Sequence, residues 1–196
     1  YTFKVPTLEE IEKMTEKKSE DIKDKMESVI KQSKTLQHKV EDMQRKMVDK
    51  NEIGWQEKQA LKQLLDKQNE LQQQVKEIQN ENKEKNLKEN QYTELSPDVL
   101  EKQKQLEELF NKVMTEDLKK MYDELQKMLD EVNKDKVAEM LDKMKDDTRS
   151  IEKEIDRNLE LFKQLELEQK MQQIIDKTLK LSEDQEKLSE ETNNAS

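Results

Sequence analysis

The stretch Ile22–Met47, IKDKMESVIKQSKTLQHKVEDMQRKM, decides the fold. Ile22, Val29, Leu36 and Met43 recur every seven residues, and Met26, Ser33, Val40 and Met47 form a second row beside them. Two such rows lie on one side of an α-helix and make a narrow apolar seam. Towards the N-terminus the rows continue more weakly, through Leu8 and Thr15 on one and Glu12 and Ser19 on the other. Thr7-Leu8-Glu9-Glu10 has the form of a capping box, which starts a helix, and Pro6 stands harmlessly outside it. Opposite charges four apart, Glu27 with Lys31, Glu41 with Arg45 and Asp42 with Lys46, each add about 0.2–0.5 kcal/mol to helix formation.

The rows halt at Asp49-Lys50-Asn51-Glu52-Ile53-Gly54-Trp55, which holds the only glycine and the only tryptophan of the chain. Gly54 suits either a positive φ or an N-cap, with Glu57 placed as a cap partner. A second pair of rows follows. Leu61, Gln68, Val75 and Asn82 share one position, and Leu64, Leu71, Ile78 and Lys85 share the other. The apolar seam is good to Ile78, and the polar run from Asn80 to Asn90 reads as fraying. The two helices are expected to reach roughly 64 and 57 Å. Matched lengths joined by a short glycine-containing turn predict an antiparallel hairpin.

Ser96-Pro97-Asp98 starts the next helix, with serine as N-cap and proline at the first helical position. Shorter amphipathic pieces follow. Val99, Leu100, Leu106, Leu109, Phe110, Val113 and Met114 belong to one, Leu118 to Val132 to another, and Val137, Met140, Leu141 and Met144 to a third. A break at Asp147-Thr148-Arg149-Ser150 leads into a last long helix. Ile151, Ile155, Leu159, Phe162 and Leu165 form its first face. Met171, Ile174, Thr178, Leu181, Gln185 and Leu188 continue in shifted phase, which implies a change of partner or winding near Leu165–Leu167. The expected fold is all-α and elongated: a long antiparallel helical hairpin (coiled coil), then short helices, then a third long helix. The expected segments are 1–6, 7–95 with its turn near 49–54, 96–149, 150–189, and a frayed tail at 190–196.

Composition agrees with that reading. The chain is 43% charged, 31% hydrophobic and 4% aromatic, with one Gly and two Pro, so breakers of helix are scarce. Its mean hydropathy of -1.27 leaves too little apolar matter for a thick core but enough for narrow seams. A net charge of -10 argues against nucleic acid as a partner. No apolar run is long enough to insert in a membrane. There is no cysteine, hence no disulfide or thiol chemistry.

The opening YTFKVP alternates like a strand, and the rest of the sequence offers it no strand partner. It reads as the exit from a preceding β domain, or else as an extended arm on the helices. The lack of an initiator methionine supports a piece of a longer chain. The runs Leu159–Glu166 (LELFKQLE), Leu100–Phe110 (LEKQKQLEELF) and Pro6–Ile11 (PTLEEI) together resemble a family of large, uncharacterised Bacteroidota envelope proteins. In that family a membrane anchor and an extracytoplasmic β-rich region precede a long helical segment. The resemblance implies a periplasmic or extracytoplasmic place within a membrane-anchored protein. Members are sometimes labelled ATPase, but one glycine cannot build a phosphate-binding loop.

Candidate chemistry is sparse. His38, the only histidine, falls on the outward side of the first helix, where Glu41 or Asp42 could join it in at most a weak metal site. The many carboxylates read as a solvated face, because catalytic carboxylates need a pocket that shifts their pKa. Neither a cofactor nor a catalytic residue is expected. Met114, Met121 and Met128 repeat at intervals of seven. Such a row fills a bundle core or, alternatively, forms a surface that re-packs around partner helices. Trp55 either staples the turn against the second helix or stands exposed as an anchor for a partner. The expected role is a non-catalytic structural or docking module for protein partners. A self-associating parallel coiled coil, forming a dimeric stalk or filament, is the alternative.

Overall fold

A computed structural model of the 196-residue chain describes residues 7–48, 53–113 and 134–194. They form four helices: α1 (Leu8–Val48), α2 (Trp55–Tyr92), α3 (Pro97–Val113) and α4 (Lys134–Asn194). The strand-like residues 1–6 lie outside the described part, as do Met114, Met121 and Met128. The start of α1 is the expected capping box. The Thr7 backbone N–H donates to Glu10 Oε2 at 2.9 Å, and the Glu10 N–H donates back to Thr7 Oγ1 at 3.2 Å. Ser96 caps α3 through its Oγ, which accepts from the Val99 N–H at 3.4 Å. Gly54 is the N-cap of α2 with extended backbone, φ -80, so the positive-φ use of this glycine does not occur.

α1 and α2 run antiparallel. Lys18 pairs with Glu84 at 2.8 Å, and Lys25 with Glu77 at 2.9 Å and Glu81 at 2.6 Å. Every residue of the α1 rows from Ser19 to Met47 is buried, and so is every residue of the two α2 rows. Each fully buried Leu, Ile, Val or Met in them contributes about 1.5–3 kcal/mol. α4 lies antiparallel to α1, fixed by Lys145–Glu41 at 2.9 Å and Lys23–Glu166 at 3.0 Å. α3 packs between α2 and α4, with Gln79 Nε2 donating to Asn111 Oδ1 at 2.7 Å across the α2–α3 seam. At that end the bundle is four helices in cross-section, with α1 and α3 on one diagonal and α2 and α4 on the other.

Two expectations are corrected. The break at 147–150 does not exist, because α4 is one helix of 61 residues starting at Lys134. Its buried positions include the row Val137, Leu141, Met144, Thr148, Ile151, Ile155, Asn158, Phe162, Leu165 and Gln169, alternating steps of four and three without interruption, with Met140 and Leu159 buried beside it. Thr148 is one of these core positions, and its hydroxyl donates to the Met144 carbonyl at 2.6 Å. Nor does the α2 seam fray after Ile78. It turns polar and stays buried through Asn82, Lys85 and Glu89.

Charge at the seams has local consequences. Glu41 was expected to face Arg45, but it accepts from Lys145 of α4, which holds its carboxyl below the ordinary value of 4.5. A depressed folded-state pKa means a contribution present above the unfolded value and lost as pH falls through the folded one. Side-chain NMR titration should therefore give Glu41 a midpoint below 4.5, and Lys145→Ala should raise it. A midpoint unmoved by that substitution would contradict the pairing.

Gln68 sits in the α1–α2 seam at 3% exposure, and neither its Nε2 nor its Oε1 has a hydrogen-bond partner among the described residues. Leaving such groups unpaired costs free energy, while a polar residue in a seam limits the registers it can adopt. Gln68→Leu is expected to stabilise the fold by about 1–3 kcal/mol. A thermal midpoint that stays level or falls would contradict this.

Candidate functional site: a buried polar cluster and an exposed helical stripe

Where the four helices meet, α2 contributes Lys85 and Glu89, α3 contributes Gln103, and α4 contributes Phe162 and Gln169. Lys85 and Glu89 stand four apart on the core row, so the helix itself brings them together. Lys85 is 1% exposed. Its Nζ lies 2.9 Å from Glu89 Oε1 and donates to Gln169 Oε1 at 3.4 Å. It also lies 5.4 Å from the centre of the Phe162 ring, within cation–π range. Glu89 Oε2 accepts from Gln169 Nε2 at 2.8 Å and from Gln103 Nε2 at 3.3 Å.

The ion pair is thus closed by amides from two other helices. A small cavity beside it, about 30 Å³, is lined by Ile11, Glu12, Thr15, Glu89, Thr93 and Gln169 among others. That volume is about a water molecule's share of the liquid. The arrangement ties α2, α3 and α4 together at one level, because sliding α3 or α4 by a turn would strip the Gln103 or Gln169 amide from the largely buried Glu89 carboxylate.

The second feature is on α4 beyond the cluster. Leu167, Met171, Ile174, Ile175, Leu179, Leu181 and Leu188 are all exposed, Ile174 at 63% and Leu181 at 69%. With Thr178 and Gln185 they include the row Leu167, Met171, Ile174, Thr178, Leu181, Gln185, Leu188, again in steps of four and three. This row is turned roughly 160° around the helix axis from the core row ending at Leu165 and Gln169. The phase shift therefore marks the place where the apolar face of α4 swings from the inside of the bundle to the outside. Upstream, the outward positions are charged: Lys153, Asp156, Glu160 and Lys163.

α1 accompanies the first part of this segment. Lys170 pairs with Glu16 at 3.0 Å and Lys177 with Glu12 at 2.8 Å, and α1 begins at Leu8. The remainder of α4, to Asn194, runs on past it.

The expected site residues fall out as follows. Trp55 does not staple the turn. It is 75% exposed at the first position of α2, at the opposite end of the hairpin from the stripe. His38 is exposed and 3.9 Å from Glu41, and the described residues contain no group of three or more His, Cys, Asp or Glu placed to hold a metal. Met140 and Met144 are core residues of α4. An open groove of about 340 Å³ runs between α1 and α2 over Leu36 and Leu71, edged by Lys31, Lys39 and Lys67. The neighbouring Lys67 holds Lys39 below its ordinary 10.5. No described helix is long and apolar enough to cross a membrane.

The sequence places Lys85 on the core row, but the polar run from Asn80 to Asn90 around it reads as fraying, which hides the cluster. The spacing of Lys85 and Glu89, continuing Val75, Ile78 and Asn82, was the available signal. No family model, no curated protein and no solved structure matches the chain.

Proposed function

We propose that the chain is a non-catalytic coiled-coil module that presents helical faces to protein partners within a larger cell-envelope protein. The observation that carries this reading is the outward apolar row of α4, an amphipathic face with no partner among the described residues. A helix of this kind is recognised through anchors at helical spacing. Trp55 supplies a second exposed anchor at the far end, with α2, 38 residues or about 57 Å long, between them. The locked polar cluster and the uninterrupted α4 hold the two ends at a fixed separation, which is what a spacer must do. A parallel stalk through α1 and α2 fits less well, since their rows are already buried within one chain. The extracytoplasmic placement rests on the sequence resemblance alone.

The test is a photo-crosslinking residue placed at position 174 in the intact protein in its native cells, with position 163 as control. A discrete protein adduct at 174 and none at 163 is the expected result. Equal labelling at both, or none at either, would overturn the reading. Fractionation of the same cells tests the compartment, with recovery in the cytoplasm contradicting it.

A further inference from the structure

We infer that the outward stripe of α4 pairs with the same stripe of a second copy, and that the two helices run antiparallel. This deepens the docking reading and rests on it. The row from Leu167 to Leu188 spans about three heptads, roughly 32 Å of helix, enough for a two-helix seam. It faces away from the bundle, so two chains can join along it without collision of their bodies.

The flanking charges choose the direction. Lys170, Lys177, Asp184 and Glu191 stand at intervals of seven along one edge of the row. In an antiparallel pair this edge meets its own copy. With Met171 opposite Leu188 of the second copy and Thr178 opposite Leu181, Lys177 falls beside the second copy's Asp184. Lys170 likewise falls beside its Glu191. All four contacts then join opposite charges, counting both halves of the symmetric pair.

In a parallel pair the same edge meets Ile175, Ser182 and Ser189, and no charge is matched. Within one chain, Asp184 and Glu191 lie beyond α1 and form no ion pair among the described residues. An antiparallel copy brings each of them a lysine, which within its own chain already pairs with α1, Lys177 with Glu12 and Lys170 with Glu16, so each half-exposed ammonium would bridge two carboxylates. The symmetry is two-fold and closes on itself, so the product is a dimer rather than a fibre. Its interface lies at the small end of specific contacts, so pairing depends on concentration.

The test is light scattering of the full chain over a concentration series, together with single-cysteine variants, which the cysteine-free chain makes clean. The mass is expected to rise from 23.5 kDa toward twice that value. Ile174→Glu with Leu181→Glu should abolish the rise and leave the thermal midpoint of the dilute protein unchanged, because both positions are exposed. Met171→Cys and Leu188→Cys chains should form a disulfide when mixed and little or none when each is oxidised alone.

Homodimeric disulfides from each variant alone would mean parallel pairing and overturn the inference. A constant 23.5 kDa would overturn it too. If crosslinking at 174 then still gave an adduct with a different protein, the docking reading would survive without self-pairing. If it gave none, both would fall.

Discussion

Lys85→Ala is expected to lower the unfolding free energy by about 3–5 kcal/mol. The substitution removes the only cation that pairs with the largely buried Glu89 among the described residues and leaves it with the Gln103 and Gln169 amides. Those amides cannot replace an ammonium at 2.9 Å. The aliphatic stem and its contact with the Phe162 face go as well. The double change Lys85→Met with Glu89→Leu should recover most of the loss, because well-packed apolar residues commonly do as well as a buried ion pair. Urea unfolding of the dilute protein measures both. A cost below about 1 kcal/mol for the single change would resemble an exposed pair and contradict the burial of this one.

The second large effect concerns the middle of α4. Arg149→Pro is expected to cost about 3 kcal/mol or more, because proline removes a helical N–H and clashes with the carbonyl four residues back. Arg149 itself is exposed, so no side-chain packing confuses the result. Its neighbours Thr148 and Ile151 are core positions, and a kink there would lift Met144 and Ile155 away from α1. Were 147–150 a connection between two helices, proline would be tolerated at a cost below about 1 kcal/mol.

These two sites are also where the sequence was hardest to read. Rows of Ile, Val, Leu and Met in α1 and α2 announced themselves, and every row residue from Ser19 to Met47 and from Leu61 to Lys85 is buried as the spacing required. The caps at Thr7 and Ser96 were equally plain, since a side-chain cap is a local device written in a few residues. Failures came where residue type and spacing disagreed. Asp147-Thr148-Arg149-Ser150 looks like a loop by composition, yet Thr148 keeps step between Met144 and Ile151, satisfying its hydroxyl within the helix. Lys85 and Glu89 lie in a polar run that reads as fraying, yet they keep step after Ile78 and satisfy each other.

In a sequence this charged, spacing was the better guide. The outward stripe was half legible. Its phase shift could be counted, but only the packing of α4 on α1 shows that the second face points out of the bundle. Trp55 was ambiguous because one residue beside a turn carries no period.

Residue-resolved hydrogen exchange along α4 in the full chain, at low and high protein concentration, distinguishes a continuous helix with an outward face from the alternatives. Protection is expected to be continuous from about Met140 through Gln169, with no gap at 147–150, at either concentration. Beyond Lys177, where the pairing with α1 ends, rapid exchange is expected in the dilute protein and new protection of Thr178–Leu188 in the concentrated one. A gap at 147–150 would contradict the continuous α4 on which the bundle depends. Protection past Lys177 that does not change with concentration would contradict an outward face waiting for a partner.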